Sequence, residues 1–250
     1  MAVLGEVAAI TGAGMGIGRA AAVRLARDGA KVALLDRDVA AMDEVAEEIA
    51  RSGGTAVCVA VDMLDAQAIA GAFARVARDL GPVDVLVNNV GQSARERARP
   101  FWEGDPDLWD FTLDICLRSA MVSTRQVVAG MRARGSGRIV NMSSEAAFLA
   151  TDIIVDYAAA KAGLIGFTRA LARSLAPSGI TVNAICPGLV RTRVMDQLPE
   201  ETVRRAVAGI PIGFIADPED IAAIVSFLAS EGSRYITGQS LLANGGKWMI

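Results

Sequence analysis

The stretch that decides the fold is Thr11-Gly12-Ala13-Gly14-Met15-Gly16-Ile17-Gly18, which directly follows the apolar segment 7–11. A strand, a glycine-rich turn and a helix in this order are typical of a dinucleotide site. The glycines let the backbone approach a pyrophosphate, and the helix N-terminus offers its N–H groups. A glycine cluster alone could be a flexible turn. Its place between a strand and the helical stripe of Ile17, Ala21 and Leu25 favours cofactor binding.

Apolar segments alternate with helical segments along the rest of the chain. The segments predicted as strands are 7–11, 32–36, 56–62, 83–88, 138–142, 180–185 and 239–242. The segments predicted as helices are 17–25, 40–50, 66–80, 107–132, 156–176 and 218–229. Most strands are apolar on both faces, as in parallel sheets that helices cover on both sides. The pattern therefore predicts an α/β fold with one doubly wound parallel sheet.

The bulk composition limits the size of the fold and the kinds of partner. The chain has 250 residues and no evident linker, so one domain over 1–250 is expected. It has no apolar run of membrane-spanning length and no signal-peptide pattern at its start, which favours a cytoplasmic location and no membrane partner. The net charge of −3 gives no basic field for nucleic acid. A small-molecule partner is expected.

The rare residues exclude several kinds of catalysis. The chain contains no histidine, which removes Ser-His-Asp and Cys-His mechanisms and histidine-ligated metals. Its three cysteines, Cys58, Cys116 and Cys186, are far apart in the sequence and suggest neither a disulfide framework nor a zinc site. We expect no metal. Acid/base chemistry must come from Tyr, Lys, Ser, Asp or Glu.

Tyr157 and Lys161 form a YxxxK pair downstream of Ser144. Residues four apart lie on one face of a helix, so the Lys161 ammonium can lie beside the Tyr157 phenol. A nearby positive charge lowers the pKa of tyrosine from about 10 towards the range of a working base. The pair alone could be two solvated side chains. Its agreement with the glycine turn favours hydride chemistry.

Asp36 closes the second predicted strand, 18 residues after Gly18. A carboxylate there can accept hydrogen bonds from both adenosine ribose hydroxyls and repel a 2′-phosphate, which favours NAD over NADP. Arg37 is the opposing signal, since a basic residue could bind a 2′-phosphate. We interpret Arg37 as a solvated charge beside the crevice.

With these motifs in place, the chain resembles the short-chain dehydrogenases/reductases of the single-domain type. The likeness covers TGxxxGxG at 11–18, an acidic residue at Asp62, NNVG at 88–91, Ser144 with YxxxK, PGLVRT at 187–192 and NGG at 244–246. It implies a seven-stranded Rossmann sheet in the order 3-2-1-4-5-6-7. The cofactor-binding residues that we predict are Gly12, Met15, Gly16, Ile17, Gly18, Asp36, Arg37, Asp62, Met63, Asn89, Val90, Gly91, Tyr157, Lys161, Pro187, Gly188, Val190 and Thr192.

The resemblance also implies a mechanism. Tyr157 would exchange a proton with the substrate oxygen, Ser144 would orient that oxygen, and Lys161 would lower the phenol pKa and hold the nicotinamide ribose. One residue departs from the family, because Cys116 stands where a helical asparagine binds a relay water. A thiol is a poor substitute for an amide. We expect a backbone carbonyl near Cys116, or the Ser119 hydroxyl, to keep the relay.

The substrate-facing loops give the least specific signal. Residues 189–214, with Met195, Leu198, Ile212 and Phe214, are expected to form an apolar lid over the substrate. The run Arg95, Arg97 and Arg99 could bind an anion but is typical of a solvated loop. We therefore expect a secondary alcohol or ketone on a moderately hydrophobic body.

Three functions stay open from the sequence. The first is an NAD-dependent secondary alcohol dehydrogenase. The second is an NADPH-dependent 3-oxoacyl thioester reductase, against which Asp36 argues. The third is a nucleotide sensor or scaffold with a decayed site, which Cys116 suggests and the intact Ser144, Tyr157 and Lys161 oppose. The resemblance further implies a homotetramer paired through the helices at 107–132 and 156–176.

Overall fold

The computed structural model describes residues 6–93, 97, 99–149, 154–191 and 200–249. Its strands are β1 Val7–Thr11, β2 Lys31–Asp36, β3 Thr55–Ala60, β4 Val85–Asn88, β5 Gly137–Met142, β6 Ile180–Pro187 and β7 Ser240–Ala243. Its α-helices are α1 Gly16–Arg27, α2 Val39–Arg51, α3 Ala66–Asp79, α4 Pro106–Leu113, α5 Ser119–Arg134, α6 Val155–Leu175, α7 Glu200–Ala208 and α8 Pro218–Ala229. Within these residues, no helix is both long and apolar enough to cross a bilayer.

The strands form one seven-stranded sheet in the order β3-β2-β1-β4-β5-β6-β7, and every pairing is parallel. The predicted fold class and strand order are confirmed. Ile10 of β1 lies between Leu34 of β2 and Val87 of β4. The chain therefore leaves β1 in one direction and later resumes on its other side. A crevice forms at such a reversal, beyond the carboxyl ends of the strands.

Both faces of the sheet are buried. On one face Ala8 and Ile10 pack with α1, α2 and α8. On the other face Val7 and Ala9 pack with α3, α5 and α6. Alternate residues of one strand thus enter two separate cores, which explains why the central strands are apolar throughout.

Aspartates fix where several helices begin. The carboxylates of Asp38, Asp65 and Asp105 accept hydrogen bonds from backbone N–H groups in the first turns of α2, α3 and α4. Asp217 and Asp220 form a reciprocal capping box at the start of α8. These caps bind N–H groups that the helix itself leaves unpaired.

The structure differs from the prediction at the helix expected over 107–132. The segment is divided into α4, a π-helical turn at Asp114–Arg118 and α5. In that turn the N–H of Ser119 donates to the carbonyl of Asp114, so one extra residue enters the helix. An inserted residue shifts the phase of the hydrophobic pattern by one position, and over two short helices this shift resembles ordinary irregularity of the apolar stripe.

Several other boundaries also differ. β4 begins at Val85, two residues after the predicted start at 83, and β6 ends at Pro187, two residues beyond the predicted end at 185. β3 ends at Ala60, whereas the prediction extended it to residue 62. The expected lid at 189–214 contains the helix α7, which the sequence analysis did not predict. Residues 192–199, with Met195 and Leu198, lie outside the described residues.

A buried polar ladder joins the two central strands to the helices beside them. The Asn88 amide donates to Thr124 Oγ1 of α5 at 3.0 Å and to Asn141 Oδ1 of β5 at 2.8 Å. The Asn141 amide donates to Thr168 Oγ1 of α6 at 2.9 Å. Leaving a buried amide unpaired costs free energy. The ladder therefore holds α5 and α6 at fixed positions against β4 and β5.

Replacing Asn141, which is fully buried, with leucine should lower the free energy of unfolding by about 2 kcal/mol, because a buried N–H of Asn88 loses its acceptor. Urea unfolding at fixed protein concentration measures the change. Thr55→Val, at an exposed position of the edge strand β3, is the control and should stay within about 0.5 kcal/mol of the parent. Equal stability of Asn141→Leu and the control would contradict the ladder's role.

Candidate active site

A crevice of about 480 Å³ opens beyond the carboxyl ends of the central strands. It brings together nearly all of the residues predicted for the site. Those that line it are Gly12, Met15, Gly16, Ile17, Asp36, Arg37, Asp62, Met63, Asn89, Val90, Gly91, Ser144, Tyr157, Lys161, Pro187, Gly188 and Val190. Gly18 lies behind this lining. Thr192 is outside the described residues.

The glycine turn at 12–18 requires glycine at Gly12 and Gly18. Gly12 has φ +66°, and its N–H donates to the Leu35 carbonyl at 2.7 Å. A Cβ on Gly18 would lie 2.0 Å from the Gly12 carbonyl oxygen. Gly18 therefore lets the first turn of α1 pack directly on the loop, and its role is indirect.

The end of β4 holds this turn in place. The Asn89 amide donates to the carbonyls of Thr11 and Gly12, each at 3.1 Å. The Thr11 hydroxyl accepts the backbone N–H of Asn89 at 3.0 Å and that of Val90 at 3.2 Å. Asn89 is thus placed by hydrogen bonds across the sheet reversal, and the two loops form one wall.

Asp36 is tied to the glycine turn as well. Its Oδ2 accepts the Gly14 N–H at 2.9 Å, and its Oδ1 accepts the Asp38 N–H at 3.1 Å. A carboxylate oxygen can accept more than one hydrogen bond, so both oxygens keep capacity for a ligand. Arg37, which is exposed, borders the same end of the crevice.

The adjoining wall comes from the residues after β3. Asp62 Oδ1 accepts the Leu64 N–H at 2.9 Å, which closes a tight turn at the crevice edge. Met63 is buried below it. Asp62 and Met63, both predicted as cofactor-binding residues, line the crevice.

Lys161 is almost completely buried, with 2% of its surface exposed. Its Nζ donates to the Met142 carbonyl at 2.8 Å and lies 5.6 Å from the centre of the Tyr157 ring. Burial lowers the pKa of Lys161, while the neighbouring Cys116 and Cys186 act in the opposite direction. The predicted pair therefore shares one face of α6, with the ammonium over the ring.

Gly91 makes this burial possible. A Cβ at Gly91 would lie 2.6 Å from Lys161 Nζ and 3.4 Å from Cys116 Sγ. The loop after β4 thus passes directly over the ammonium. A larger residue would displace Lys161 from its place between the loop and β5.

The two serines after β5 have different positions. Ser143 Oγ donates to the Lys161 carbonyl at 2.9 Å, which anchors α6. Ser144 Oγ accepts the Ala146 N–H at 3.1 Å at the start of the one-turn helix Glu145–Ala147. Because that bond uses a lone pair, the Ser144 O–H stays available to donate into the crevice.

Pro187, Gly188 and Val190 border the crevice at the end of β6. The Gly188 N–H donates to the Ala243 carbonyl at 2.9 Å. A Cβ at Gly188 would lie 2.9 Å from Asn244. The C-terminal segment therefore supports this wall from behind.

Cys116 lies in the π-helical turn and is fully buried. Its Sγ is 3.5 Å from the carbonyl oxygen of Gln92, which itself lines the crevice. Burial raises the pKa of the Cys116 thiol, so it is neutral near pH 7. The Ser119 hydroxyl donates to the Ile115 carbonyl of its own helix at 2.7 Å. Of the two relay candidates, the Gln92 carbonyl is the one at the crevice.

The crevice also has lining residues that the sequence analysis did not assign to it. They are Val61, Leu64, Gln92, Phe111, Ile115, Met142 and Ser143. Phe111 and Ile115 are four residues apart beside Cys116, so helical spacing was a usable signal for that pair. The others depend on how loops meet, which the local sequence does not show.

A family model described as enoyl-(acyl carrier protein) reductase matches residues 12–247. The chain belongs to the short-chain dehydrogenase/reductase family. It is similar to the acetoacetyl-CoA reductase of Shinella zoogloeoides, with 40% identity over 99% of this chain and 100% of that protein. It is also similar to the 3-oxoacyl-(acyl-carrier-protein) reductase FabG of Pseudomonas aeruginosa, with 35% identity over 100% of both chains.

Solved structures support the same family. A crystal structure from Sinorhizobium meliloti 1021 matches with a TM-score of 0.92 and 36% identity, covering 98% of this chain and 97% of that one. A short-chain type dehydrogenase/reductase from Mycobacterium marinum matches with a TM-score of 0.90 and 26% identity, covering 100% and 97%. The protein is thus an oxidoreductase of this family.

Replacing Cys116 with asparagine should leave kcat within about threefold of the parent, because the Gln92 carbonyl already supplies a polar atom 3.5 Å from Cys116 Sγ. Initial rates at saturating cofactor measure this. Cys116→Ala is the matched control, and it should behave similarly. A gain of orders of magnitude in Cys116→Asn alone would show that the native relay is impaired.

Proposed function

We propose that the protein is an NAD-dependent oxidoreductase that transfers a hydride between nicotinamide C4 and a secondary alcohol or ketone carbon, with Tyr157 as the general acid/base. The observation that carries the proposal is a shared crevice. Ser144, Tyr157 and Lys161 line the same cavity as the glycine turn and Asp36. The catalytic and cofactor assignments of these residues remain predictions that the experiments below address.

The crevice fits a dinucleotide. Gly12 and Gly16 present backbone to it, at the N-terminus of α1, which favours a pyrophosphate. Asp36, Asp62 and Met63 border the end suited to the adenosine. Lys161, Gly188 and Val190 border the end suited to the nicotinamide riboside. When bound, the cofactor supplies the carbon that accepts or returns the hydride.

The chain's own residues account for the proton. In the oxidative direction Tyr157 takes the proton of the alcohol, and in the reductive direction it returns one to the substrate oxygen. The Ser144 O–H donates a hydrogen bond to that oxygen where negative charge develops. The Lys161 ammonium, 5.6 Å from the Tyr157 ring centre, favours the charged phenolate.

Asp36 supports NAD over NADP. Its two oxygens are held by the Gly14 and Asp38 N–H groups, which fixes the carboxylate at the end of the crevice that would take the adenosine ribose. A 2′-phosphate bound there would be a second negative group beside it. Two negative groups held together in this way repel each other.

A second candidate is the reduction of a 3-oxoacyl thioester with NADPH. It is supported by the relatives named acetoacetyl-CoA reductase and 3-oxoacyl-(acyl-carrier-protein) reductase. Arg97 could bind the phosphates of an acyl thioester's carrier group. It forms an exposed ion pair with Asp105 at 3.0 Å, in agreement with the solvated-loop interpretation. Arg95 lies outside the described residues.

Four further expectations remain part of the proposal. They are a single domain over 1–250, a lid at 189–214, a homotetramer and a cytoplasmic location. Exposed Ile212 and Phe214 are consistent with a lid that orders over a hydrophobic substrate. Light scattering that shows only monomers would exclude the tetramer.

Tyr157→Phe should lower kcat by at least about 100-fold, because it removes the proton donor and keeps the ring. NADH formation over a panel of secondary alcohols is the assay, with 3-oxoacyl-CoA and NADPH as the reductive arm. Tyr235→Phe, at a fully exposed position, is the matched control and should keep full activity. Unchanged activity in Tyr157→Phe would favour the sensor hypothesis instead.

Asp36→Ala should shift the ratio of kcat/KM for NAD to that for NADP towards NADP by about tenfold or more, because the repulsive carboxylate is gone. Asp38→Asn is the control, since it removes a neighbouring charge and keeps a good helix cap. The control should keep the parent's preference. A parent enzyme that binds NADPH tightly and does not respond to NADH would reverse the assignment.

A further inference from the structure

An ion pair joins the turn after Ser144 to the C-terminal segment. Lys247 Nζ lies 2.8 Å from Glu145 Oε1, across 102 residues of sequence. The Glu145 side chain is 11% exposed and that of Lys247 is 35% exposed. Glu145 follows Ser144 directly, and it is the first residue of the short helix that the Ser144 hydroxyl caps.

The second oxygen of Glu145 packs behind the crevice wall. Oε2 is buried and has no hydrogen-bond partner among the described residues. A Cβ at Gly188 would lie 3.3 Å from it. Gly188 lines the crevice and Glu145 does not, so the carboxylate supports the wall without reaching a ligand. With one oxygen unpaired, the buried carboxylate depends on Lys247 for its charge compensation.

The C-terminal segment contacts other parts of the same wall. The Ala243 carbonyl accepts the Gly188 N–H at 2.9 Å, and the Gly245 carbonyl accepts the Ile212 N–H at 3.0 Å. The Asn244 amide donates to the Trp248 carbonyl at 3.1 Å, which folds the segment back on itself. Lys247 is therefore attached to a segment that already touches Gly188 and the region around Ile212.

We propose that Glu145 and Lys247 are positioning residues that hold Ser144 and Gly188 in a fixed relation across the active site. The ion pair clamps the Ser144 turn to the C-terminal segment. The same carboxylate packs behind Gly188 and limits how far Gly188 can move away from the crevice. Neither side chain touches substrate or cofactor. The role rests on the proposed function, because it acts through the Ser144 hydroxyl and the wall at Gly188.

The physical reason is the cost of a buried charge without its partner. If Lys247 is replaced by an uncharged residue, the Glu145 carboxylate is left buried without a cation, and it must take up a proton or move towards water. Either response changes how the side chain packs behind Gly188. The backbone carbonyl of Glu145 accepts the N–H groups of Phe148 and Leu149, so the change is transmitted to the whole turn. A displacement of a catalytic hydroxyl by a fraction of an ångström affects the transition state more than it affects binding.

The test is Lys247→Met in the full-length protein, which keeps a similar length and removes the charge. We expect kcat to fall about tenfold, with the dissociation constant for NADH, measured by fluorescence, within about threefold of the parent. Lys247→Arg should keep at least about half of the parent's kcat, because the charge remains. Glu145→Gln/Lys247→Met should be less impaired than Lys247→Met alone, since it leaves no unpaired charge.

The matched control is Glu231→Gln. It breaks the ion pair between Arg138 Nη2 and Glu231 Oε1, which spans 2.6 Å and 93 residues of sequence. Arg138 is on β5, the strand that leads to Ser144, but at its opposite end. This variant should lose thermal stability and keep kcat. If Lys247→Met keeps kcat within twofold, or if Glu231→Gln loses as much activity, the positioning role is wrong.

A second measurement separates this inference from the proposed function. Hydrogen–deuterium exchange of residues 143–149 should rise in Lys247→Met and not in Glu231→Gln, whatever reaction the protein catalyses. Tyr157→Phe tests the function and should leave this exchange unchanged. If exchange rises in Lys247→Met but the parent protein has no oxidoreductase activity, the proposed function is wrong and the clamp stands. If exchange in Lys247→Met equals that of the parent, the clamp is wrong.

Discussion

Burial of both faces of the parallel sheet is the constraint on which the rest of the structure depends. Alternate residues of β1, such as Ala9 and Ile10, enter two different cores, so neither face can carry polar chemistry. Polar groups between the helices and the sheet therefore need partners inside the fold, as the Asn88 and Asn141 amide nitrogens have in their ladder, although Asn88 Oδ1 has none among the described residues. The strand order reverses at β1, so the loop after β1 and the loop after β4 diverge at the carboxyl edge of the sheet. The crevice lies between these loops.

Within that crevice, glycine positions decide how closely the walls approach. Gly18 allows α1 to meet the Gly12 carbonyl, and Gly91 allows a loop to cover the Lys161 ammonium. Lys161 is held by the Met142 carbonyl without a carboxylate partner among the described residues. Solvent screens a buried cation little, and the centre of the Tyr157 ring lies 5.6 Å from it. The electrostatics of the site thus follow from backbone packing.

The walls are also linked to parts of the chain that do not line the crevice. Asn89 joins β4 to the glycine turn, and Glu145 with Lys247 joins the serine turn to the C-terminal segment. A site assembled from loops needs such cross-links, since each loop alone has little to hold it. Residues of the motifs that carry the family resemblance are among those that line the crevice.

The sequence by itself determined the strand segments and, through the family resemblance, the strand order. It also identified candidate site residues from short motifs: Gly12, Asp36, Ser144, Tyr157 and Lys161. It could do so because strand periodicity and short motifs are local. The two-residue shifts at β3, β4 and β6 lie at strand ends, where pairing with the neighbouring strand decides the boundary. Only the tertiary structure decided the π-helical turn at Cys116, the helix α7 and the neighbours of Glu145. Those depend on which distant segments meet. An inserted helical residue only shifts the phase of a short apolar stripe, and a contact across 102 residues has no local signal.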